Sequence, residues 1–122
     1  MAVQIVIDGD GHVLEDHDAI ASKAPQEWIN AGLTRAHLFP ELDHVHHALR
    51  TTPPGSFMPA PADRWIEFQD DVGISSAVLY PTSGLACGRI VDIDLAIGAC
   101  AAYNDWLHDS FMAKSPRLLG MG

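Results

Sequence analysis

Between Ala62 and Gly120 the sequence changes period three times, from helix to strand to helix to strand, and few architectures accommodate that order. In Ala62–Val72 the apolar residues Trp65, Ile66, Phe68 and Val72 fall mostly at helical spacing. Asp63 places an acid in the first turn, and Gly73 is a natural stop. Ile74 to Tyr80 then reads as a buried strand, ended by Pro81-Thr82-Ser83-Gly84. Asp92 can cap a helix running to about Ala113, with Leu95, Ala96, Ala99, Ala102, Tyr103, Trp106 and Phe111 on its inner face. Pro116 breaks that helix, and Leu118 to Met121 opens another apolar strand. At the other end Val3 to Ile7 is short and β-branched, and Asp8-Gly9-Asp10-Gly11 closes it, so a first strand is expected there. Apolar strands joined by helical crossovers pair in parallel with right-handed connections. The expected class is α/β, with about three parallel strands and two main crossover helices.

The stretch from 13 to 61 is less regular. Asp16 to Lys23 and Gln26 to Ala31 can each make a short helix, the second following Pro25. Pro40, Thr51-Thr52-Pro53-Pro54-Gly55 and Pro59-Ala60-Pro61 forbid long regular structure. A long first strand-to-helix connection of this kind usually serves as a lid or binding loop. The 122 residues suit one domain. Three parallel strands leave both sheet edges uncovered, so the chain reads as the opening portion of a larger unit.

Composition narrows the function classes. Sixteen acids against seven lysines and arginines give a net charge of −9, and the basic residues are scattered singly. Nucleic acid and anionic membrane surfaces are therefore not expected as partners. The first eight residues lack the basic and long apolar regions of a secretory signal. Cys87 and Cys100 form neither a disulfide framework nor a C-x-x-C knuckle, and two reduced thiols in a cytoplasmic protein are expected.

Ligands of parallel α/β proteins bind at the carboxyl ends of the strands. There the first strand carries Asp10 and His12, two residues apart, so an extended backbone sends both side chains to one side. A carboxylate oxygen and an imidazole nitrogen suit Zn²⁺, with Mn²⁺ or Fe²⁺ as alternatives. The same residues also fit an Asp/Gly-rich turn bearing a solvated histidine. Glu15 either orients a ligand from behind or caps the next helix. Tyr80 and Thr82, at the end of the second strand, either contact substrate or complete the turn. His37, His44, His46 and His47 lie in the irregular stretch, where a solvated or lid-lining role is expected, with weak metal affinity at most. Asp70-Asp71 reads as a solvated helix end. The sequence contains no G-x-S-x-G elbow, P-loop or G-x-G-x-x-G.

Three blocks carry a family resemblance: Ile7-Asp8-Gly9-Asp10-Gly11-His12-Val13-Leu14-Glu15, then Val78-Leu79-Tyr80-Pro81-Thr82-Ser83-Gly84-Leu85, then Ala102-Tyr103-Asn104-Asp105-Trp106-Leu107 with Pro116-Arg117-Leu118-Leu119-Gly120. Together they resemble the amidohydrolase-related family, in the branch that includes aminocarboxymuconate-semialdehyde decarboxylase-like enzymes. The resemblance implies the N-terminal part of a (β/α)₈ TIM barrel, with 13–61 as its variable lid segment. It also implies a divalent metal at the carboxyl ends of the strands, with Asp10 and His12 on the two ligand positions of the first strand. The family's other ligands and its catalytic aspartate fall on later strands, and a full barrel needs around 250 residues. The catalytic residues are therefore expected beyond residue 122, and the chain alone is expected to be inactive. The expected activity of the parent is metal-dependent hydrolysis or decarboxylation of small carboxylated or cyclic substrates. The alternative is a small non-catalytic α/β module that binds a ligand or partner, with its open edges paired in a homo-oligomer.

Overall fold

A computed structural model describes residues 4–31, 39–40 and 59–122. The expected roles of His37, His44, His46 and His47 fall outside the described residues. The fold is mixed α/β, with three parallel strands in one open sheet of order β1-β2-β3. The elements run β1 (Ile7–Val13), α1 (His17–Ala21), α2 (Gln26–Asn30), α3 (Ala62–Val72), β2 (Ser76–Pro81), a 3₁₀ segment (Ser83–Arg89), α4 (Ile93–Leu107), a π-helical turn (His108–Met112) and β3 (Leu118–Gly120).

The strand expected at Val3 to Ile7 is displaced. β1 begins at Ile7, and the Asp8-Gly9-Asp10-Gly11 run expected to close the strand forms its middle. Local turn chemistry loses here to the ladder with β2. Ile7 pairs with Ser76 and Asp8 with Ala77; Gly11, His12 and Val13 then pair with Leu79, Tyr80 and Pro81. Gly9 and Asp10 thus share the position opposite Val78, which is a β-bulge. Gly11 has no room for a side chain, because a Cβ there would press on the Val78 carbonyl, the Leu79 side chain and the Trp65 ring.

The register also defines two faces. Gly11, Val13, Ala77, Leu79 and Leu118 point toward the helices and are buried. Trp65 of α3 reaches the Gly11 position and Leu107 of α4 reaches the Gly120 position, so both crossover helices cover this one face. The core continues through Ile20, Ala99, Ala102, Tyr103, Trp106 and Phe111. On the other face, Ile7 and Leu119 are 61% and 45% exposed, and no described element covers them.

α3 has the expected bounds, and Gly73 ends it at φ 77°, a left-handed conformation that favours glycine. Its buried positions are Ala62 and Gln69, whereas Phe68 and Val72 are half exposed. Asp92 caps α4 through its carboxylate, which accepts from the Leu95 amide at 2.8 Å. The long helix does not stay α-helical to Ala113, and Leu95 and Ala96 are only half buried. Residues five apart on an α-helix point about 140° away from each other. The wider π turn brings Phe111 back under Trp106, with ring centroids 5.6 Å apart and edge to face, and both side chains are buried.

Candidate functional site

The bulge decides which acid joins His12. Asp8 pairs with Ala77 on the helix-covered side, and its Oδ1 accepts the Asp10 amide at 3.0 Å. Asp10 and His12 then emerge together, with Asp10 Oδ1 3.4 Å from His12 Nε2. Asp10 is almost fully exposed and the His12 side chain is 40% exposed. Tyr80, the register partner of His12, sets its ring at a tilt against the imidazole, with centroids 5.9 Å apart.

His12 is held from behind. Its Nδ1 lies 2.8 Å from the Pro81 carbonyl oxygen, which can only accept, so Nδ1 carries a proton and donates. In the neutral ring Nε2 then bears a lone pair, 3.4 Å from a carboxylate oxygen that can also only accept. Two acceptors face each other at a separation longer than the usual 2.7–3.2 Å of a hydrogen bond. A metal ion set between the two atoms would be held by both. For ligand bonds of 2.0–2.1 Å, two neighbouring corners of a tetrahedral metal site lie about 3.3 Å apart. The observed spacing suits such an ion with little movement. An imidazole whose second nitrogen donates to a backbone carbonyl is also the usual arrangement of a metal-binding histidine.

Among the described residues no group of three or more His, Cys, Asp or Glu side chains gathers around a common point. The pair therefore fills two positions of any cation it holds. Histidine and carboxylate at two positions leave a binding surface open to water or a substrate oxygen.

Glu15 does not cap α1. Asp16 caps α1, accepting from the Ala19 amide at 3.0 Å. The Glu15 carboxylate instead accepts the backbone N–H groups of Thr82, Ser83 and Gly84 at 2.9, 3.1 and 2.8 Å. It clamps the start of the 3₁₀ segment to the end of β1 and fixes the carbonyl of Pro81 that holds His12. The Thr82 hydroxyl donates to the Val13 carbonyl at 2.7 Å, so it completes the same junction. The role of the Pro81 carbonyl is not legible in the sequence, since proline there signals only the end of a strand. No local signal reveals it; the contact exists because the register sets residue 12 beside residue 80.

Behind the clamp, the Tyr103 hydroxyl is buried without a hydrogen-bond partner among the described residues. Burial, then the nearby Glu15 charge, push its pKa above the ordinary value. An open cleft of about 410 Å³ lies beside Leu14, Asp16, Trp106 and Phe111, and neither Asp10 nor His12 lines it. Among the described residues no helix is long and apolar enough to cross a membrane. Compared with known proteins, the chain matches no family model, and no curated protein matches it.

Proposed function

We propose that this chain is the metal-holding opening of an amidohydrolase-like (β/α)₈ barrel, with Asp10 and His12 as ligands of one divalent cation, Zn²⁺ by preference. The observation that carries the reading is the convergence of two lone-pair groups, 3.4 Å apart, with the histidine locked from behind by Pro81. The three sequence blocks from 7 to 15, 78 to 85 and 102 to 120 support it, and with no family model matching, the reading rests on those residues and their geometry. The sheet supports it too. Strands in sequential order with both crossover helices on one face are what a barrel wall needs, and Asp10, His12 and Tyr80 line the side that would turn inward.

When bound, the cation would acidify a water for hydrolysis or polarise a carboxylate or phenolate oxygen of the substrate for decarboxylation. The protein's own part is positional. Pro81 keeps the His12 ring in one tautomer and one orientation, Asp10 supplies the compensating negative charge, and Glu15 holds the Pro81–Gly84 turn in place. The substrate class is a small carboxylated or cyclic molecule. Remaining coordination positions go to water, substrate or residues of a longer chain.

Calorimetric titration with Zn²⁺ tests the site, and Co²⁺ absorption reads its donor set. One-to-one binding that is weak, persists when His44, His46 and His47 are changed to Ala, and vanishes in Asp10→Asn and His12→Gln supports the reading. Binding that survives both of those changes, or that depends on the histidines from 44 to 47, overturns it.

A further inference from the structure

At the edge of the helical layer the fold brings the chain's two cysteines together. Cys87 lies in the 3₁₀ segment after β2 and Cys100 lies midway along α4, and these two elements pack on each other. Each cysteine follows a fully buried alanine, Ala86 and Ala99, so both sit at the margin of the packed seam. Both thiols are free and partly exposed, and Cys87 lies near enough to Cys100 to act on its proton. A disulfide requires a sulfur–sulfur distance of about 2.05 Å, and thiols on elements that pack on each other reach it by side-chain rotation where the backbone spacing permits.

We propose that Cys87 and Cys100 are a redox pair that closes to a reversible intrachain disulfide when the protein meets a peroxide. The Cys87 sulfur attacks one peroxide oxygen and the O–O bond breaks; the departing hydroxide takes the Cys87 thiol proton and leaves as water, and Cys87 becomes a sulfenic acid. Cys100 sulfur then attacks Cys87 sulfur, the S–O bond breaks, and the departing hydroxide takes the Cys100 proton and leaves as a second water. Two thiols lose two electrons and the peroxide is reduced to two waters. Partial burial, then the neighbouring Cys87, push the Cys100 thiol up, which suits Cys100 to the second, resolving step. The cross-link would pin the far end of a segment whose near end Glu15 already holds. It is independent of the metal reading, since neither thiol belongs to the Asp10–His12 pair.

The test treats the full chain with hydrogen peroxide, alkylates what remains, and digests it with trypsin without reduction. The expected product joins peptides 65–89 and 90–114, and a thiol reductant separates them. In Cys100→Ser the Cys87 sulfenic acid persists and is trapped by a 1,3-diketone. Interchain dimers in place of the joined pair, or sulfenic acid trapped equally in the unsubstituted chain, would overturn the proposal. Equilibration with a glutathione redox buffer separates tertiary placement from mere closeness in sequence. The effective concentration of the pair should be at least about tenfold higher in native buffer than in urea. Equal values would mean that the fold does not bring the thiols together, and the proposal fails.

Discussion

Removing the Glu15 carboxylate should loosen the junction between β1 and β2 more than any other single change at the surface of the site. In Glu15→Ala three backbone donors lose an ionised acceptor at once, at 2.9, 3.1 and 2.8 Å. Gly84 is buried, so its amide loses nearly the whole of a charge-assisted bond, about 2–3 kcal/mol. Thr82 and Ser83 are half buried and can recover water, so each costs about 0.5–1 kcal/mol. The total is about 3–5 kcal/mol, a large share of the ~5–15 kcal/mol that holds a domain together. Glu15→Gln keeps one neutral oxygen for Thr82 and Gly84 but turns an amide donor toward the Ser83 N–H, and should cost about half as much. Urea unfolding checks both values through the midpoint at unchanged slope. Amide exchange adds a local reading, because Glu15→Gln should speed exchange at residues 82 to 84 while leaving Ala77 and Leu79 protected. If both variants unfold within ~0.5 kcal/mol of the unsubstituted chain, the clamp is not a stabilising contact and the reasoning fails.

Gly84→Ala attacks the same turn from the other side, because its Cβ would come 2.7 Å from the rigid Pro81 ring; a loss of about 1–3 kcal/mol in urea unfolding is expected. Leu79 is fully buried between the strands and the helices, and Leu79→Ala should cost about 2–5 kcal/mol by the same measurement. Burial, then Glu15, raise the Tyr103 phenol above its ordinary 10.0, so the unfolded chain releases this proton first and stability falls as pH rises past that value. Tyr103→Phe should therefore flatten the alkaline limb of stability against pH. At neutral pH it should equal or exceed the unsubstituted chain by up to about 1 kcal/mol, since the hydroxyl has no partner among the described residues. Asp109, whose carboxyl is lowered by hydrogen bonds from Lys23 and then His108, is exposed, so Asp109→Asn should leave the thermal midpoint nearly unchanged.

Much of the helical layer is legible from the chain alone. The bounds of α3, the glycine that ends it and the Asp92 cap of α4 follow from contacts within a few residues, and such contacts recur wherever those residues occur together. The strand-helix alternation likewise suffices for a parallel sheet, because parallel strands need crossovers. Within the candidate site, the one-residue spacing of Asp10 and His12 was enough to group them.

What surrounds that pair depends on contacts between residues nearly seventy positions apart, which local pattern does not encode. Asp8-Gly9-Asp10-Gly11 has the composition of a turn, yet pairing with β2 draws it into the strand and leaves one residue over as a bulge. That extra residue turns Asp8 toward the helices and leaves Asp10 beside His12. Glu15 could have served several nearby amides; its actual partners are three N–H groups delivered by the next strand. The π turn after α4 exists because Phe111 gains burial against Trp106, a tertiary reward that outweighs the regular helical hydrogen bond. Short-range hydrogen bonds and period therefore determine which elements form. Register, and the burial that register allows, decide which side chains meet, because a shift of one residue turns every following side chain to the opposite face.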